Sequence, residues 1–213
     1  MKKNILVLTA ACVTLTLSST AQTKFGIRAG VQMQNVNAKD HSGTKADNKL
    51  MTGYHAGLTA DIPVAPDYFI QPGLLYSLKG TNQDYANAKA RISYIEVPVN
   101  FIYKPTLGSG KLLLGFGPYV AVAIDGKVKW DNGSEADVDI ANTIPVTATD
   151  NYYVERMDAG ANFLAGYEFT NKLSFQLNAQ LGLSNISPED QRVSNSKAVS
   201  KNTGFGLSLG YKF

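Results

Sequence analysis

The chain has 213 residues, with 20 Lys and Arg against 17 Asp and Glu, a net charge of +3. No basic block stands out, so nucleic acid is excluded as a partner. After the first residues, no apolar run approaches the ~20 residues that a membrane helix requires. A helical membrane protein is therefore excluded, whereas a soluble exported protein and a β-barrel both remain.

The first 21 residues have the pattern of an export signal. Two lysines precede a largely apolar stretch, and the small residues at 19–21 offer a cleavage site. Cys12, the only cysteine, lies inside this stretch without the usual lipobox Leu, so we interpret it as an ordinary signal-peptide residue. We predict a cleaved signal peptide over residues 1–21 and one barrel domain over 22–213. The mature chain then has 18 basic and 17 acidic residues, a charge of +1, and no thiol chemistry.

Apolar and polar residues alternate in eight later segments, as expected for strands whose side chains point in turn to two faces. Each apolar face is about ten residues long, the length that a tilted strand needs to cross the hydrocarbon core. The eight predicted strands cover residues 24–33, 54–62, 68–79, 94–103, 112–124, 158–169, 173–184 and 205–213.

Long and short connections alternate along the chain. Outer-membrane barrels have short periplasmic turns and long outer loops, and an even strand number places both termini on the periplasmic side. The predicted long loops cover 34–49, 80–90, 126–153 and 185–202, and the short turns cover 63–67, 105–110 and 170–171. Prolines 72, 98 and 118 fall inside predicted strands, where we interpret them as marks of bulges.

Glycine indicates which face points inward. A solvated β surface carries Thr, Lys and Glu with little glycine, whereas the crowded interior of an eight-stranded barrel favours it. The polar faces carry Gly26, Gly30, Gly57, Gly73, Gly115, Gly117, Gly166, Gly182, Gly206 and Gly210. We therefore predict that the apolar faces meet lipid and that the glycine-rich faces line the lumen.

Charged and imidazole side chains also fall on the predicted inward faces. They require partners there because an isolated buried charge is costly to desolvate. The predicted lumen network comprises Arg28, His55, Asp61, Glu96, Asp158, Glu168 and Lys212. We expect Arg28 to pair with Glu96 and Lys212 with Glu168. A structural network is favoured over a narrow conducting path, since barrels of this size are filled by their own side chains.

The sequence gives no catalytic, cofactor or metal site. Its two histidines are His41 and His55, and neither has an evident catalytic partner. His41 is adjacent to Ser42, and neighbouring side chains on an extended chain point apart. The acidic stretch 125–139 does not have the spacing of an EF-hand and is interpreted as a solvated loop.

Five segments together resemble the PorT-like outer-membrane β-barrel family: KFGIRAGV, GLLYSLKG, YIEVPVNFIYK, GFGPYVAVAI and GFGLSLGYKF. The resemblance covers the whole mature chain and implies an eight-stranded barrel. PorT itself is associated with secretion of proteins across the outer membrane. The terminal strand is similar to the signal that barrel-assembly machinery reads, with Ser208 where glycine is commonest. The residues that carry this signal are Phe205, Leu207, Leu209, Tyr211 and Phe213.

We therefore predict an all-β, eight-stranded, antiparallel up-and-down barrel integral to the outer membrane. Its predicted role is structural, surface-interacting or secretion-accessory, without catalysis and without a cofactor. The expected partners are outer-membrane lipid, the assembly machinery during insertion, and a protein bound through outer loops near Asp40, Asn87, Asn132 and Ser194. Three alternatives remain: a soluble lipocalin-like barrel that binds a small apolar ligand, a narrow pore, and a lipid-modifying barrel enzyme.

Overall fold

A computed structural model describes residues 22–46, 48–83, 87–149, 152–193 and 198–213. The predicted signal peptide, Cys12 and Ser194 lie outside these residues. Eight long strands form one antiparallel sheet that closes on itself. They are β1 (Lys24–Lys39), β2 (Met51–Ala65), β3 (Tyr68–Gln83), β4 (Ala88–Tyr103), β5 (Gly110–Trp130), β6 (Met157–Glu168), β7 (Leu173–Gly182) and β8 (Val199–Lys212).

Each strand pairs with its neighbours in the chain, and β8 returns to β1. The closing ladder runs from Gly26 opposite Lys212 to Lys39 opposite Val199. The Phe213 N–H donates to the Phe25 carbonyl at 2.8 Å, so both ends of the domain meet at the rim that carries the short turns. The predicted eight-stranded up-and-down barrel is therefore confirmed.

Several strands continue well past the apolar segments that revealed them. β1 has 16 residues and β5 has 21, and the β4–β5 ladder extends to the pair Ala88 and Trp130. Residues 34–39, 80–83 and 88–90 of the predicted loops are thus strand ends that project beyond the membrane. The prediction missed them because past Met33 the outward residues are polar and the apolar residues Val36 and Ala38 point inward, so the alternation that marks the membrane segment is interrupted.

Short strands complete the connections between the barrel strands. Their bounds are Asn48–Lys49, Thr106–Leu107, Glu135–Asp137, Asp139–Ile140, Thr143–Ile144, Tyr153–Val154 and Glu189–Asp190. The turn before β4 contains Asn87 at φ 46°, a left-handed conformation that asparagine tolerates.

The three strand prolines do not mark bulges. The register of β3 against β4 is the same on both sides of Pro72 and Pro98, and Pro118 pairs directly with Ala161. The register changes instead between Pro63 and Ala65 and between Ser93 and Tyr94. The bulge interpretation was therefore wrong: a missing N–H interrupts a ladder locally without an extra residue being inserted.

The two faces of the wall have opposite chemistry. Leu177 on β7 is 55% exposed and Leu209 on β8 is 66% exposed. Ser208, the residue before Leu209, points to the other face and is 1% exposed. The five apolar residues of the terminal strand all lie on the outer surface. Buried polar residues, glycines and two small apolar clusters fill the interior. A soluble barrel with an apolar interior is therefore excluded, and the predicted orientation is confirmed.

Aromatic rings border the exposed apolar band at both rims. At the rim of the short turns, Tyr68 stacks on Phe101 and Tyr103 with ring centroids 5.5 and 4.8 Å apart. At the opposite rim, Tyr54 and Tyr76 lie 6.0 Å apart. Such girdles are typical of both membrane–water interfaces of an outer-membrane barrel.

Candidate functional site

Among the described residues, the lumen contains four cationic and four anionic side chains. The cations are Arg28, Lys79, Lys104 and Lys212, and the anions are Asp61, Glu96, Asp158 and Glu168. All seven residues of the predicted lumen network face inward. The predicted network did not include Lys79 and Lys104. Both lie an even number of residues from an inward strand residue, Ser77 on β3 and Asn100 on β4, and therefore point inward as well. Lys104 lies one residue past the predicted end of its strand.

An inner ion cluster closes the lumen near the short turns. Asp61 accepts from Lys104 and, at 2.7 Å, from the Lys212 ammonium group. Lys104 also binds Glu168 at 2.9 Å, and the Gln71 amide donates to Asp61 at 2.7 Å. The expected direct pair between Lys212 and Glu168 is replaced by this shared arrangement, in which Asp61 lies between two lysines.

An outer ion cluster is centred on Lys79, whose side chain is fully buried. Its ammonium group lies 2.8 Å from Glu96 and 3.2 Å from Asp158. The same nitrogen lies 4.2 Å from the ring centroid of Tyr119 and 5.4 Å from that of Tyr94. Two carboxylates and two aromatic faces therefore compensate one desolvated cation.

Arg28 does not form the ion pair that was expected with Glu96. Within the part of the chain that the structure describes, no carboxylate lies within 4 Å of its guanidinium group, and Glu96 pairs with Lys79 instead. Arg28 and Glu96 do line the same mid-barrel cavity of about 30 Å³, with Gln34 and Asn100. This volume admits a water molecule or two and excludes a larger ligand.

His55 belongs to a chain of satisfied hydrogen bonds. Its Nδ1 donates to the side-chain amide oxygen Oε1 of Gln32 at 3.1 Å, so its Nε2 accepts from the Ser208 hydroxyl at 2.8 Å. The Asn178 amide donates to the same hydroxyl at 2.6 Å. A Cβ on Gly30 would lie 2.8 Å from the imidazole ring, so glycine there makes room for it.

The contact between His55 and Ser208 resembles a nucleophile and its base, but it is inaccessible. Ser208 lies inside the wall, and the adjacent cavity is too small for an acyl chain. The arrangement therefore holds side chains in place and has no path for a substrate.

An apolar plug fills the outer half of the lumen. Strand residues meet loop residues there, and all of them are buried. The plug consists of Val36, Ile92, Tyr94, Tyr119, Ala121, Ala123, Val154 and Ile186, with Ala38, Val138 and Ile140 packed against it. Nearer the short turns, Leu113 and Leu164 form a second apolar contact with Ile102, which explains why apolar residues occur on the glycine-rich face.

The outer loops that supply Val154 and Ile186 are tied together. Two parallel ladders join Thr143–Ile144 to Glu189–Asp190 and Tyr153–Val154 to Asp139–Ile140. Asp190 is buried, and Arg192 donates to both of its carboxylate oxygens at 2.9 and 2.8 Å. These contacts form a cap over the outer mouth of the barrel.

The cap should loosen in acid. Hydrogen bonds from Arg192 lower the pKa of Asp190 to about 2, below its value in an unfolded chain. A depressed carboxyl pKa stabilises the cap above pH 4, and this contribution is lost as the pH falls toward 2. Pepsin cleavage of residues 183–193 should therefore increase between pH 4 and pH 2, whereas D190N should be cleaved equally at both. Equal cleavage of the native chain at both pH values would contradict this assignment.

The closed ring, the apolar outer wall and the polar, plugged lumen define a membrane-spanning β-barrel. Residues 19–187 match the family of the outer membrane protein beta-barrel domain, and the chain belongs to that family. It is an integral protein of the outer membrane.

Solved structures of two proteins are similar to this chain at low sequence identity. One is Ail, the attachment invasion locus protein of Yersinia pestis, crystallised with the heparin analogue sucrose octasulfate; identity is 13% and the TM-score 0.44. The other is Neisserial surface protein A, with 13% identity and a TM-score of 0.47. Each alignment covers 90% of this chain and 99% of the other. No curated protein matches the chain.

No helix among the described residues is long and apolar enough to span a membrane. Within the same residues, no group of three or more His, Cys, Asp or Glu could hold a metal ion.

Proposed function

We propose that this protein is a sealed, non-catalytic barrel whose outer loops form a contact surface for another molecule at the cell surface. The observation that carries the proposal is the apolar plug, in which loop residues Val154 and Ile186 pack against Tyr94 and Tyr119 of the wall. A plug of this kind removes the lumen as a route for solutes and fixes the loops as a rigid platform. Functional contacts commonly lie on loops that a rigid scaffold positions.

The proposal assigns the chain to the PorT-like group, with a secretion-accessory role as one form of surface contact. The motifs quoted above and the order of the strands support this assignment. It includes a signal peptide cleaved after residue 21 and recognition of the terminal strand by the assembly machinery. The common outward face of Phe205, Leu209 and Phe213, on the strand that closes the barrel against β1, supports that recognition.

The absence of catalysis is also part of the proposal. Its support is the enclosure of the contact between His55 and Ser208, which leaves no room for a lipid substrate. H55Q should leave the lipid composition of the membrane unchanged. Altered acyl chains in cells that carry this variant would favour the enzyme alternative.

A sealed lumen predicts no measurable conductance. The purified barrel, inserted into a planar bilayer, should give no current steps above the bare membrane, because the ion clusters and the plug occupy the lumen and the mid-barrel cavity beside them has a volume of about 30 Å³. A porin inserted under the same conditions is the positive control. Reproducible current steps from the native chain would contradict the proposal and favour the narrow-pore alternative.

The contact surface is tested by changing the loops and preserving the plug. In a variant, residues 145–149 are replaced by glycine and serine, and both chains are cross-linked on intact cells and purified in mild detergent. We expect a partner that is retained by the native protein and lost from the variant. A partner that binds both chains equally would show that contact is made elsewhere on the barrel.

A further inference from the structure

A groove on the outer flank of the barrel is lined by three lysines. Lys39 at the end of β1, Lys45 in the following turn and Lys201 on β8 surround it, with Asn37 and Val199 between them. We call this surface the lysine groove. We propose that it binds the phosphate groups of glycolipid headgroups in the outer leaflet of the membrane.

Among the described residues, no ion pair compensates the positive charge of the lysine groove. None of its three ammonium groups forms an ion pair within the described parts of the chain, and no carboxylate lines it there. Asp40 adjoins Lys39 in sequence, but its carboxylate accepts from the backbone N–H groups of Ser42 and Thr44, each at 2.9 Å. The anion nearest in sequence is thus engaged within its own turn.

The backbone places two of these cations side by side. Lys39 and Lys45 face each other across an isolated antiparallel bridge. Like charges directly opposite each other destabilise a ladder unless an anion lies between them. A phosphate group fits this arrangement because it accepts from several ammonium groups at once.

The lysine groove lies just outside the apolar band of the outer surface. Met33 and Phe205 form the last outward apolar pair of β1 and β8, and Lys201 follows four residues further from the membrane centre. At ~3.3 Å per residue and the usual strand tilt, the Lys201 backbone lies about 10 Å above that pair and the Lys39 backbone about 15 Å above it. The headgroup layer occupies roughly 5–8 Å on each side of the hydrocarbon, so the lysine side chains, which extend toward such interfaces, reach the outer edge of this layer.

A second group of cations on the same rim provides a matched control. Lys89 and Lys129 face each other across β4 and β5, with Lys127 two residues away. Carboxylates compensate this group, since Glu135 lies 2.8 Å from Lys129 and Asp137 is opposite Lys127. Replacing three lysines removes the same charge from either group. Phosphate binding is expected to weaken only when the lysines of the lysine groove are replaced.

The experiment compares K39Q/K45Q/K201Q with K89Q/K127Q/K129Q in the full-length mature barrel. Each protein in a zwitterionic detergent is titrated with bisphosphorylated lipid A and with dephosphorylated lipid A, and binding is measured by native mass spectrometry. We expect the lysine-groove variant to bind the bisphosphorylated lipid on the order of 100-fold more weakly than the native chain, at about 1 kcal/mol for each of the three lysines near a charged surface. The control variant should bind it as the native chain does.

Three results would overturn the proposal. Equal weakening in both variants would indicate general electrostatic attraction to the rim. Equal binding of the two lipids would exclude phosphate as the group recognised. Displacement of the lipid by millimolar inorganic phosphate would indicate a soluble anion as the ligand. The strand content of each variant, measured by circular dichroism, distinguishes a loss of lipid binding from a loss of folding. None of these results depends on whether the outer loops bind another molecule.

Discussion

K79M should lower the free energy of unfolding by about 3–5 kcal/mol, the usual cost of removing one partner from a buried ion pair. Lys79 is fully buried and binds both Glu96 and Asp158, so its loss leaves two carboxylates without their cation. Equilibrium unfolding in urea, from vesicles of defined lipid, measures this change.

Two further variants separate lost pairing from lost packing. Neutralising all three groups in K79M/E96Q/D158N should restore most of the stability, because the amides keep their hydrogen bonds from Gln180 and Asn202. K129M removes an exposed lysine and should leave the unfolding free energy nearly unchanged. A loss below about 1 kcal/mol for K79M would contradict the role assigned to the outer ion cluster.

L177R should cost about 2–4 kcal/mol, because the guanidinium group would be placed against acyl chains near the middle of the membrane. Leu177 lies at the centre of β7, between Ala165 of β6 and Leu207 of β8. The same unfolding measurement in lipid vesicles gives the change in free energy.

V146R is the matched control for that substitution. Val146 lies in the outer cap and is 67% exposed, and Leu177 is 55% exposed. The two side chains are thus similarly exposed, but Val146 faces water and Leu177 faces lipid. In the loop the arginine is hydrated, and its effect should stay within about 0.5 kcal/mol. Equal effects at the two positions would mean that Leu177 does not face lipid.

The sequence alone predicts the membrane-spanning parts of the barrel because one local rule governs them. Along β7, every second residue from Leu173 to Leu181 is exposed and its neighbours are mostly buried, which the alternation reveals directly. The strand ends beyond the membrane follow no such rule. Past Asp125 the apolar residue Val128 points inward and Lys127 and Lys129 are exposed, so the outward face of β5 is no longer apolar, and that part was interpreted as loop.

The ion pairs of the lumen could be predicted only in part. Strand parity identifies Asp61, Glu168 and Lys212 as inward residues, and it would also have identified Lys104. Which of them meet depends on the register between strands that are distant in sequence, and no local pattern encodes that register. The direct pair expected between Lys212 and Glu168 failed for this reason.

No pattern in the sequence predicts the cap. Val154 and Ile186 are single apolar residues in polar loops and show no period. Their burial results from contacts with Tyr94 and Tyr119, which lie on other strands. Only the closed barrel brings these four residues together.

Fluorescence quenching of a single tryptophan tests the orientation of the wall most directly. The chain has one Trp, Trp130, so W130F/L177W places the only indole at the centre of β7. Lipids with brominated acyl chains should quench its emission strongly, and iodide in the aqueous phase should not. Quenching by iodide with no effect of the brominated lipids would contradict a lipid-facing apolar wall.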